Sequence, residues 1–212
     1  MLQGFLKLIL LVKIILVVTG STILNAQCPA VPSPYTENFS GGALPICWQQ
    51  SATSGDGWKF SGTPGYAAAN NGRPAGTFAW VDFSGTDAGT VMEVVPVDIS
   101  ANTNPQIEFD FFCFNTTQPN PTNILHIEAN DGTGWVSVGT IQNNTFNGWA
   151  PYTYTLVGFD VNGIVSIRFR AESGGATNDF YNDILVDNLA IREAPTCPSP
   201  LLSSFEIGRA HV

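Results

Sequence analysis

Basic residues and histidines are scarce in this sequence of 212 residues. Its 8 Lys and Arg stand against 17 Asp and Glu, so the formal net charge is −9. A surface of this sign repels the phosphates of nucleic acids and of anionic membranes, and we expect neither as a partner. There are 2 His, one of them at position 211. His126 therefore has no companion for a zinc cluster or an HExxH motif.

Motifs of catalysis are absent as well. The sequence contains no GxSxG, P-loop or CxxC pattern. Acids are plentiful, but no motif marks two of them as the carboxylate pair of a glycosidase. These absences predict a non-catalytic domain, and they leave open a catalytic domain farther along a longer chain.

Sustained helical periodicity is missing, and short β-rich runs alternate with turn clusters instead, which is typical of a sandwich or barrel. In the runs 107–113 and 165–171, apolar and polar residues alternate. This alternation indicates antiparallel sheets with one solvated face. We predict strands at Tyr35–Phe39, Trp58–Phe60, Thr77–Asp82, Val91–Val94, Gln106–Phe114, Ile124–Ala129, Trp135–Ile141, Tyr152–Leu156, Ile164–Ala171 and Asp183–Ile191.

The N-terminus has the pattern of a secretory signal peptide. Residues 1–26 carry Lys7 and Lys13, an apolar run and then small and polar residues ending at Ala26. The alternative is a membrane anchor, but a span needs roughly 20 uninterrupted apolar residues, and Lys13 divides this segment. We therefore predict cleavage after Ala26, no membrane insertion afterwards, and a secreted, extracellular or cell-surface location.

The rest of the chain divides into one domain and two flanks. Residues 27–34 form a Pro-rich lead-in, and residues 35–193 have the length of one domain with a full core. A second Cys-Pro segment opens residues 194–205, which we interpret as a linker and the start of a truncated next module. Residues 206–212 read EIGRAHV. The last six of them match the translation of a common sequencing adapter, so we interpret the segment as an artefact. The chain is then an N-terminal fragment of a multidomain protein.

Export permits disulfides, and the four cysteines allow three pairings. Cys28 and Cys47 flank the first predicted strand and are the candidate pair. Cys113 lies on the inward face of its strand, so we expect a buried, free thiol. Cys197 belongs to the next module in this interpretation.

The stretch YNDILVDNLAI at 181–191 poses a question about two carboxylates. Alternation along a strand places five residues on one face: Asp183, Leu185, Asp187, Leu189 and Ile191. We therefore expect Asp187 to face the sandwich interior, and we expect Asp183, at the start of the strand, to anchor a turn or loop near the rim. An unpaired buried carboxylate is costly, so each needs a partner.

Several segments together resemble the MAM domain family. YNDILVDNLAI, preceded by IRFRAESGG, is similar to the family's closing strand, and ENFSGGALPICWQQ is similar to its opening. GTFAWVDFSG, GWVSVG and NGWAPYTYTL resemble its inner strand and its Trp-containing hairpin. The likeness runs from about Tyr35 to Arg192. It implies a two-sheet antiparallel jelly-roll sandwich in a secreted bacterial protein, acting in extracellular adhesion or recognition.

The resemblance also implies a possible ion site. In similar jelly-roll modules, an Asp of the last strand and an acid of the first strand meet beside calcium, which takes six to eight oxygen ligands. Here the matching set is Asp187 with Glu37 or Asn38. The family's acid after the opening Phe is replaced by Ser40, which favours the alternative of a hydrogen-bonded Asp187 without an ion. The Cys expected before the 107–113 strand is also absent.

The sequence therefore predicts a non-catalytic recognition or adhesion domain that binds extracellular protein or glycan beside downstream domains of the same chain. The alternative is a carbohydrate-binding module attached to a downstream hydrolase, since the same architecture serves both. Trp58, Tyr66 and Trp149 lie in Gly-rich turns and are candidates for stacking on sugar rings. The competing interpretation is that these rings pack at the rim of the sandwich.

Overall fold

The computed structural model describes residues 28–84, 87, 89–114, 123–142, 146–159, 162–174 and 179–196. The predicted signal peptide, Cys197, the tail at 206–212 and most of the predicted linker lie outside these residues. None of the described helices is long and apolar enough to cross a membrane.

Nearly all of the regular secondary structure in the described chain is β-strand, as the sequence predicts. Its strands are β1 (Val31–Pro32), β2 (Tyr35–Glu37), β3 (Gln49–Ser51), β4 (Trp58–Lys59), β5 (Ala79–Val81), β6 (Thr90–Glu93), β7 (Val97–Asp98), β8 (Pro105–Phe112), β9 (Ile124–Asn130), β10 (Val136–Ile141), β11 (Ala150–Thr155), β12 (Ile164–Glu172) and β13 (Ile184–Glu193). Two short 3-10 helices, η1 (Tyr66–Asn70) and η2 (Asp179–Tyr181), accompany them.

All of the predicted strands are present, with ends displaced by at most two residues. Strands β1, β3 and β7 were not predicted, and they have 2, 3 and 2 residues. Runs this short show no alternation that could be recognised in a sequence. The predicted strands β2, β4 and β5 are equally short, whereas every described strand of six or more residues was predicted.

The strands form a two-sheet sandwich of the jelly-roll type. In the first sheet, β12 lies between β9 on one side and β6 and β7 on the other, with β10 beside β9, β3 beside β6 and β1 beside β7. In the second sheet, β13 lies between β8 on one side and β5 and β2 on the other, with β11 beside β8 and β4 beside β5. All of these pairs are antiparallel except β1 with β7.

The core fills the space between the two sheets. Phe169 of β12 and Phe109 of β8 meet edge to face with ring centroids 5.0 Å apart. The inward residues of β9 and β12 face those of β8 and β13, and all are 2% exposed or less: Leu125, Ile127, Ala129, Val165, Ile167, Phe169, Ala171, Ile107, Phe109, Phe111, Ile184, Val186, Leu189 and Ile191. Cys113 is also buried and free, as predicted.

A β-bulge in β13 overturns the predicted placement of Asp187. Ile184 and Val186 point into the core, whereas Leu185 joins a separate apolar cluster. The pairing with β8 then shifts between Asp187 and Ala190, where Asn188 has φ of 48°. One extra residue in a strand reverses the faces beyond it.

Leu189 and Ile191 therefore point inward, together with Ile184 and Val186. Asp187 faces the outer side of the second sheet, opposite Asp110 of β8. The prediction that Asp187 faces the sandwich interior is wrong, because strict alternation does not hold across the bulge.

The outer side of the second sheet is partly covered by the chain itself. Phe78, Trp80, Phe112 and Leu185 form an apolar cluster there with Ala68 of η1, and Trp149 packs against it. Each of these five clustered residues is at most 4% exposed. This cover leaves the outer side of the first sheet as the more open sheet face.

The N-terminal segment is held by a disulfide and by aromatic contacts. The disulfide joins Cys28 to Cys47, the pair that flanks the first predicted strand. Beside it, the indole Nε1 of Trp48 donates a hydrogen bond of 2.8 Å to the Tyr35 hydroxyl. The linkage ties the chain before β2 to the loop before β3.

We expect removal of this disulfide to destabilise the domain. A loop of this length restricts the unfolded chain by an amount worth about 3 kcal/mol, and each kcal/mol shifts Tm by roughly 2–4 °C in a domain of this size. The wild type, melted with and without reductant, is compared with Cys28→Ser/Cys47→Ser. Reductant should lower the Tm of the wild type and leave that of the variant unchanged. An equal Tm for the reduced and oxidised wild type would contradict this role.

Candidate functional site

Asp187 lies in an ion-pair cluster on the outer side of the second sheet. Its Oδ2 pairs with Nη1 of Arg73, and Nη2 of the same guanidinium lies 2.5 Å from Oδ2 of Asp110. The guanidinium stacks on the Trp149 ring, with 3.9 Å from Cζ to the ring centroid. Burial raises the pKa of Asp187, although hydrogen bonds from the Asn188 N–H and Arg73 oppose that rise. The guanidinium thus bridges two carboxylates that would otherwise repel each other.

The other residues of the expected calcium set serve local turns. Glu37 of β2 is paired with Leu189 of β13, as expected for neighbouring first and last strands. Its carboxylate accepts the Phe39 N–H at 2.6 Å, and the Asn38 side chain accepts the Ser40 N–H at 3.1 Å. Among the described residues, no group of three or more His, Cys, Asp or Glu could hold a metal. Calcium at Asp187 remains a prediction, and an ion there would have to displace the Arg73 guanidinium.

Asp183 anchors two loops at the rim, as predicted. Its carboxylate accepts the Gly65 N–H at 2.7 Å and the Phe83 N–H at 3.2 Å. The residue is 1% exposed. Burial raises its pKa to about 7, against the opposing effect of the two backbone hydrogen bonds. Near neutral pH, this carboxyl is therefore only partly ionised.

The three aromatic candidates occupy different environments. Trp58 is 2% exposed and packs in the core against Phe169. Its prediction as a sugar-stacking residue is wrong, because the whole side chain lies between the sheets. Trp149 is half-buried beneath Arg73, and its Nε1 donates to the Asn71 carbonyl at 2.9 Å. One face of that ring is thus occupied by the guanidinium.

Tyr66 is the exposed member of the three, with 49% of its surface accessible. It lies at the rim, and its ring contacts Tyr181 at 4.5 Å and Phe180 at 5.6 Å between centroids. The ring is therefore held by rim packing while one side remains open to solvent.

A different arrangement occurs on the outer side of the first sheet. Arg168 and Arg170 of β12 point outward beside Glu128 of β9. The Arg168 Nε donates to Glu128 at 2.6 Å, and the Arg170 Nη1 pairs with Glu172 at 2.8 Å. Burial raises the pKa of Glu128, but bonds and charges of the two arginines more than offset it and hold that pKa below its ordinary value. His126 Nε2 lies 3.0 Å from Glu172 on the same face.

A hollow opens at one end of this face, and we call it the Trp135 hollow. It has a volume of about 340 Å³. Pro96, Gly132 and Ile164 form part of its wall. The side chains that give it chemistry are Glu93, Asn130, Asp131, Trp135, Asn162 and Ser166.

The turn between β9 and β10 positions Trp135. The Asn130 side-chain oxygen accepts the N–H groups of Gly132 at 2.8 Å and Gly134 at 3.0 Å. Both glycines have positive φ, 101° and 134°, which an L side chain rarely adopts. The chain then enters β10 with Trp135 lying across Arg168, whose Cζ is 4.3 Å from the ring centroid.

Two carboxylates line the hollow, one on each side of β12. Glu93 of β6 lies beside Arg168 of β12 in the sheet. Burial raises its pKa, and the Arg168 charge only partly offsets this. On the β9 side, hydrogen bonds from Thr133 hold the pKa of Asp131 below its ordinary value. Asn162 closes this side by donating to the Asp131 carbonyl at 2.9 Å.

Chemically, the hollow combines a flat indole ring with carboxylate, amide and hydroxyl groups. Such a set binds a ligand that has both an apolar face and several hydroxyl or amine groups. Our sequence interpretation missed it, because Trp135 was assigned only to a strand. The Asn-Asp-Gly-Thr-Gly turn directly before Trp135 was the available signal, since turns on a rigid scaffold often carry binding residues.

Two solved structures share the fold of this chain. TmCBM61, a carbohydrate-binding module solved in complex with beta-1,4-galactotriose, is 11% identical with a TM-score of 0.52, covering 74% of this chain and 94% of that chain. The K2 cleaved adhesin domain of Lys-gingipain is 15% identical with a TM-score of 0.50, covering 76% of this chain and 99% of that chain. No family model and no curated protein matches the chain. These identities establish the fold alone, and membership of the MAM family remains a prediction.

We expect Arg73→Met to destabilise the domain strongly. The change leaves Asp187 and Asp110 close together without a counter-charge, and breaking a buried pair costs about 3 kcal/mol. Arg192→Met is the matched control, because it breaks the pair of Arg192 with Glu108 in which the arginine is 45% exposed. An exposed pair contributes less than about 1 kcal/mol. Urea unfolding of the two variants gives both values, and equal losses would contradict the special role of Arg73.

Chelation separates this interpretation from calcium binding. With Arg73 as the partner of Asp187, we expect EDTA to leave the Tm of the wild type unchanged. A fall in Tm with EDTA that Asp187→Asn abolishes would instead establish calcium at that carboxylate.

We expect Asp183 to make stability depend on pH. Its pKa is about 7 in the folded state, against roughly 3.9 in an unfolded chain. Between these values the folded state holds a proton that the unfolded state has lost. Its stabilising contribution is therefore complete below the unfolded pKa and is lost as pH rises through the folded pKa.

The test compares the wild type with Asp183→Asn from about pH 4 to about pH 8. Between the unfolded and folded pKa values, the wild type should lose about 1.4 kcal/mol of unfolding free energy per pH unit relative to the variant. The difference should level off above about pH 7. A difference that is flat with pH would show that Asp183 stays ionised.

Proposed function

We propose that this domain is a non-catalytic extracellular recognition module that binds a glycan in the Trp135 hollow. The observation that carries the proposal is the meeting of the Trp135 ring with the Asn130, Ser166 and Glu93 side chains in one open hollow. A sugar ring presents an apolar C–H face and a rim of hydroxyl groups. An indole ring matches the first by packing, and amide, hydroxyl and carboxylate groups match the second by hydrogen bonding.

The surroundings of the hollow support this use. The Trp135 ring is held by Arg168, whose guanidinium is itself held by Glu128. A ring that is fixed before binding loses little conformational entropy when a ligand arrives. Asn130 is similarly fixed by the two glycine N–H groups of its turn. The site is thus preorganised on the strands and a tight turn.

The fold comparisons are consistent with the proposal. The carbohydrate-binding module TmCBM61 was solved with a bound galactotriose, and the Lys-gingipain domain is an adhesin. Both roles suit a secreted, acidic domain, either as an adhesion module or as a carbohydrate-binding module that serves a hydrolase elsewhere in a longer chain. The resemblance to MAM domains points to the same class of extracellular recognition.

Recognition of a protein is the second candidate, and one exposed apolar loop favours it. Ile46 is 92% exposed beside Leu44 and Pro45, next to the disulfide at Cys47. An exposed aliphatic side chain on a loop fixed by a disulfide suits a protein contact. This loop shares no residue with the Trp135 hollow. It is close to the hollow in the fold, because Gln49, two residues after Cys47, pairs with Glu93.

A glycan array followed by calorimetry tests the proposal. We expect binding to at least one oligosaccharide and a loss of about tenfold in affinity, or about 1.4 kcal/mol, for Trp135→Ala. Trp135→Phe should recover part of it, because a flat ring is restored. Tyr66→Ala is the matched control, since it removes a solvent-exposed ring outside the hollow and should leave the affinity unchanged.

The variants must first show the wild-type Tm, so that a loss of binding is not a loss of folding. No binding to any glycan on the array would contradict the proposed function. Binding that Tyr66→Ala abolishes and Trp135→Ala does not would move the site to the rim.

A further inference from the structure

The Trp135 hollow has an uneven distribution of charge. Two of its wall residues are acids, Glu93 and Asp131, and within the described chain no Lys, Arg or His lines it. The nearest cation is Arg168, which stands opposite Glu93 across the pair of β6 and β12. That guanidinium is already engaged, because it stacks on Trp135 and donates to Glu128 at 2.6 Å.

Glu93 is the carboxylate of the hollow that lacks a partner. It is half-buried, and it forms no hydrogen bond or ion pair with any residue that the structure describes. A partly desolvated carboxylate without donors is unfavourable, and here the group lines an open hollow. A ligand that brings a positive N–H donor would supply the missing partner.

Asp131 adds a second negative charge on the opposite side. Its Oδ1 accepts the N–H of Thr133 at 3.0 Å and the hydroxyl of Thr133 at 2.7 Å. These bonds hold the carboxylate in its ionised form. Glu93 is on β6 and Asp131 follows β9, so the two carboxylates lie on opposite sides of β12. A ligand in the hollow lies between two anionic side chains.

We propose that the Trp135 hollow prefers sugars that carry a protonated amine and rejects sugars that carry a carboxylate. The inference rests on the proposed function, since it names the class of glycan that the same site selects. The ring packs on Trp135, and the ammonium group donates to Glu93. A uronate in the same position faces Glu93 and Asp131 with like charge, and like charges in a shared site repel.

Three matched trisaccharides test the preference by calorimetry: β-1,4-linked glucosamine, its N-acetylated form and β-1,4-linked glucuronate. They share the β-1,4 linkage and the ring configuration. The amine or acetamide is carried on C2 and the carboxylate on C5, so Glu93→Gln is needed to separate charge from shape. In a buffer that keeps the amine protonated, we expect glucosamine to bind about tenfold more tightly than the N-acetylated form, and glucuronate to show no binding. The difference should shrink at high ionic strength, because salt screens charge interactions.

The variant Glu93→Gln tests whether Glu93 causes the preference for amine sugars. The change keeps the shape of the side chain and removes the charge, so the tenfold ratio should disappear while the N-acetylated sugar still binds. Glu172→Gln is the matched control, because Glu172 is an acid of the same sheet face outside the hollow. That variant should keep the ratio. Trp135→Ala should weaken the neutral and the amine sugar alike.

The outcomes separate this inference from the proposed function. If the neutral sugar binds and depends on Trp135, but glucosamine binds no better or Glu93→Gln keeps the ratio, the inference is wrong and glycan binding stands. If glucosamine binds and Trp135→Ala has no effect, the attraction is a general effect of an acidic surface, and the inference is also wrong. If none of the three sugars binds while another glycan on the array does, the preference for amines is wrong and only the proposed function remains.

Discussion

The register of β13 is the constraint on which the arrangement of the second sheet depends. This strand is bordered by β8 on one side and by β5 and β2 on the other, so an error in its pairing would propagate to all three. The bulge at Asp187 and Asn188 lets its first half and its second half both bury aliphatic residues. Without the extra residue, Leu189 and Ile191 would face outward and the core would lose two large side chains.

The same bulge determines where Asp187 is placed. On the outer side of the sheet, the carboxylate meets Arg73, which comes from a loop that covers this side. The guanidinium then reaches Asp110 and stacks on Trp149. A carboxylate that looked misplaced in a core strand is in fact the point where a covering loop is fastened to the sheet. The second sheet is closed by this loop, whereas the first sheet presents polar side chains and the Trp135 hollow.

Basic side chains are too few to pair with all of the carboxylates on this surface. Each of the five described basic side chains pairs with at least one carboxylate: Lys59, Arg73, Arg168, Arg170 and Arg192. Acids outnumber bases in the sequence, so some carboxylates have no partner within the described chain. Glu93 is one of them, and it lies in the hollow where a ligand would meet it. The same charge imbalance is the basis of the proposed preference for a cationic over an anionic glycan.

The sequence by itself determined the β-class, the positions of the longer strands and the inward faces of strands such as 107–113 and 165–171. Alternation is a local property, and each run shows directly which side chains are buried. The loop-anchoring role of Asp183 was also predictable, because it stands where a strand begins. Only the tertiary structure decided the orientation of Asp187, which a β-bulge sets. It also decided the burial of Trp58, which the packing of the two sheets sets.

The partner of Asp187 was equally beyond the sequence. Arg73 and Asp187 are 114 residues apart, and nothing in the local pattern around either residue indicates the other. Trp135 lies in the turn that joins β9 to β10, and Glu93 lies on β6. Because β9 and β6 border β12 on opposite sides, their common hollow exists only once the register of the first sheet is set. Local periodicity assigns a residue to a face, whereas the residues that share a site on that face depend on strand order, which is decided by the burial of the whole core.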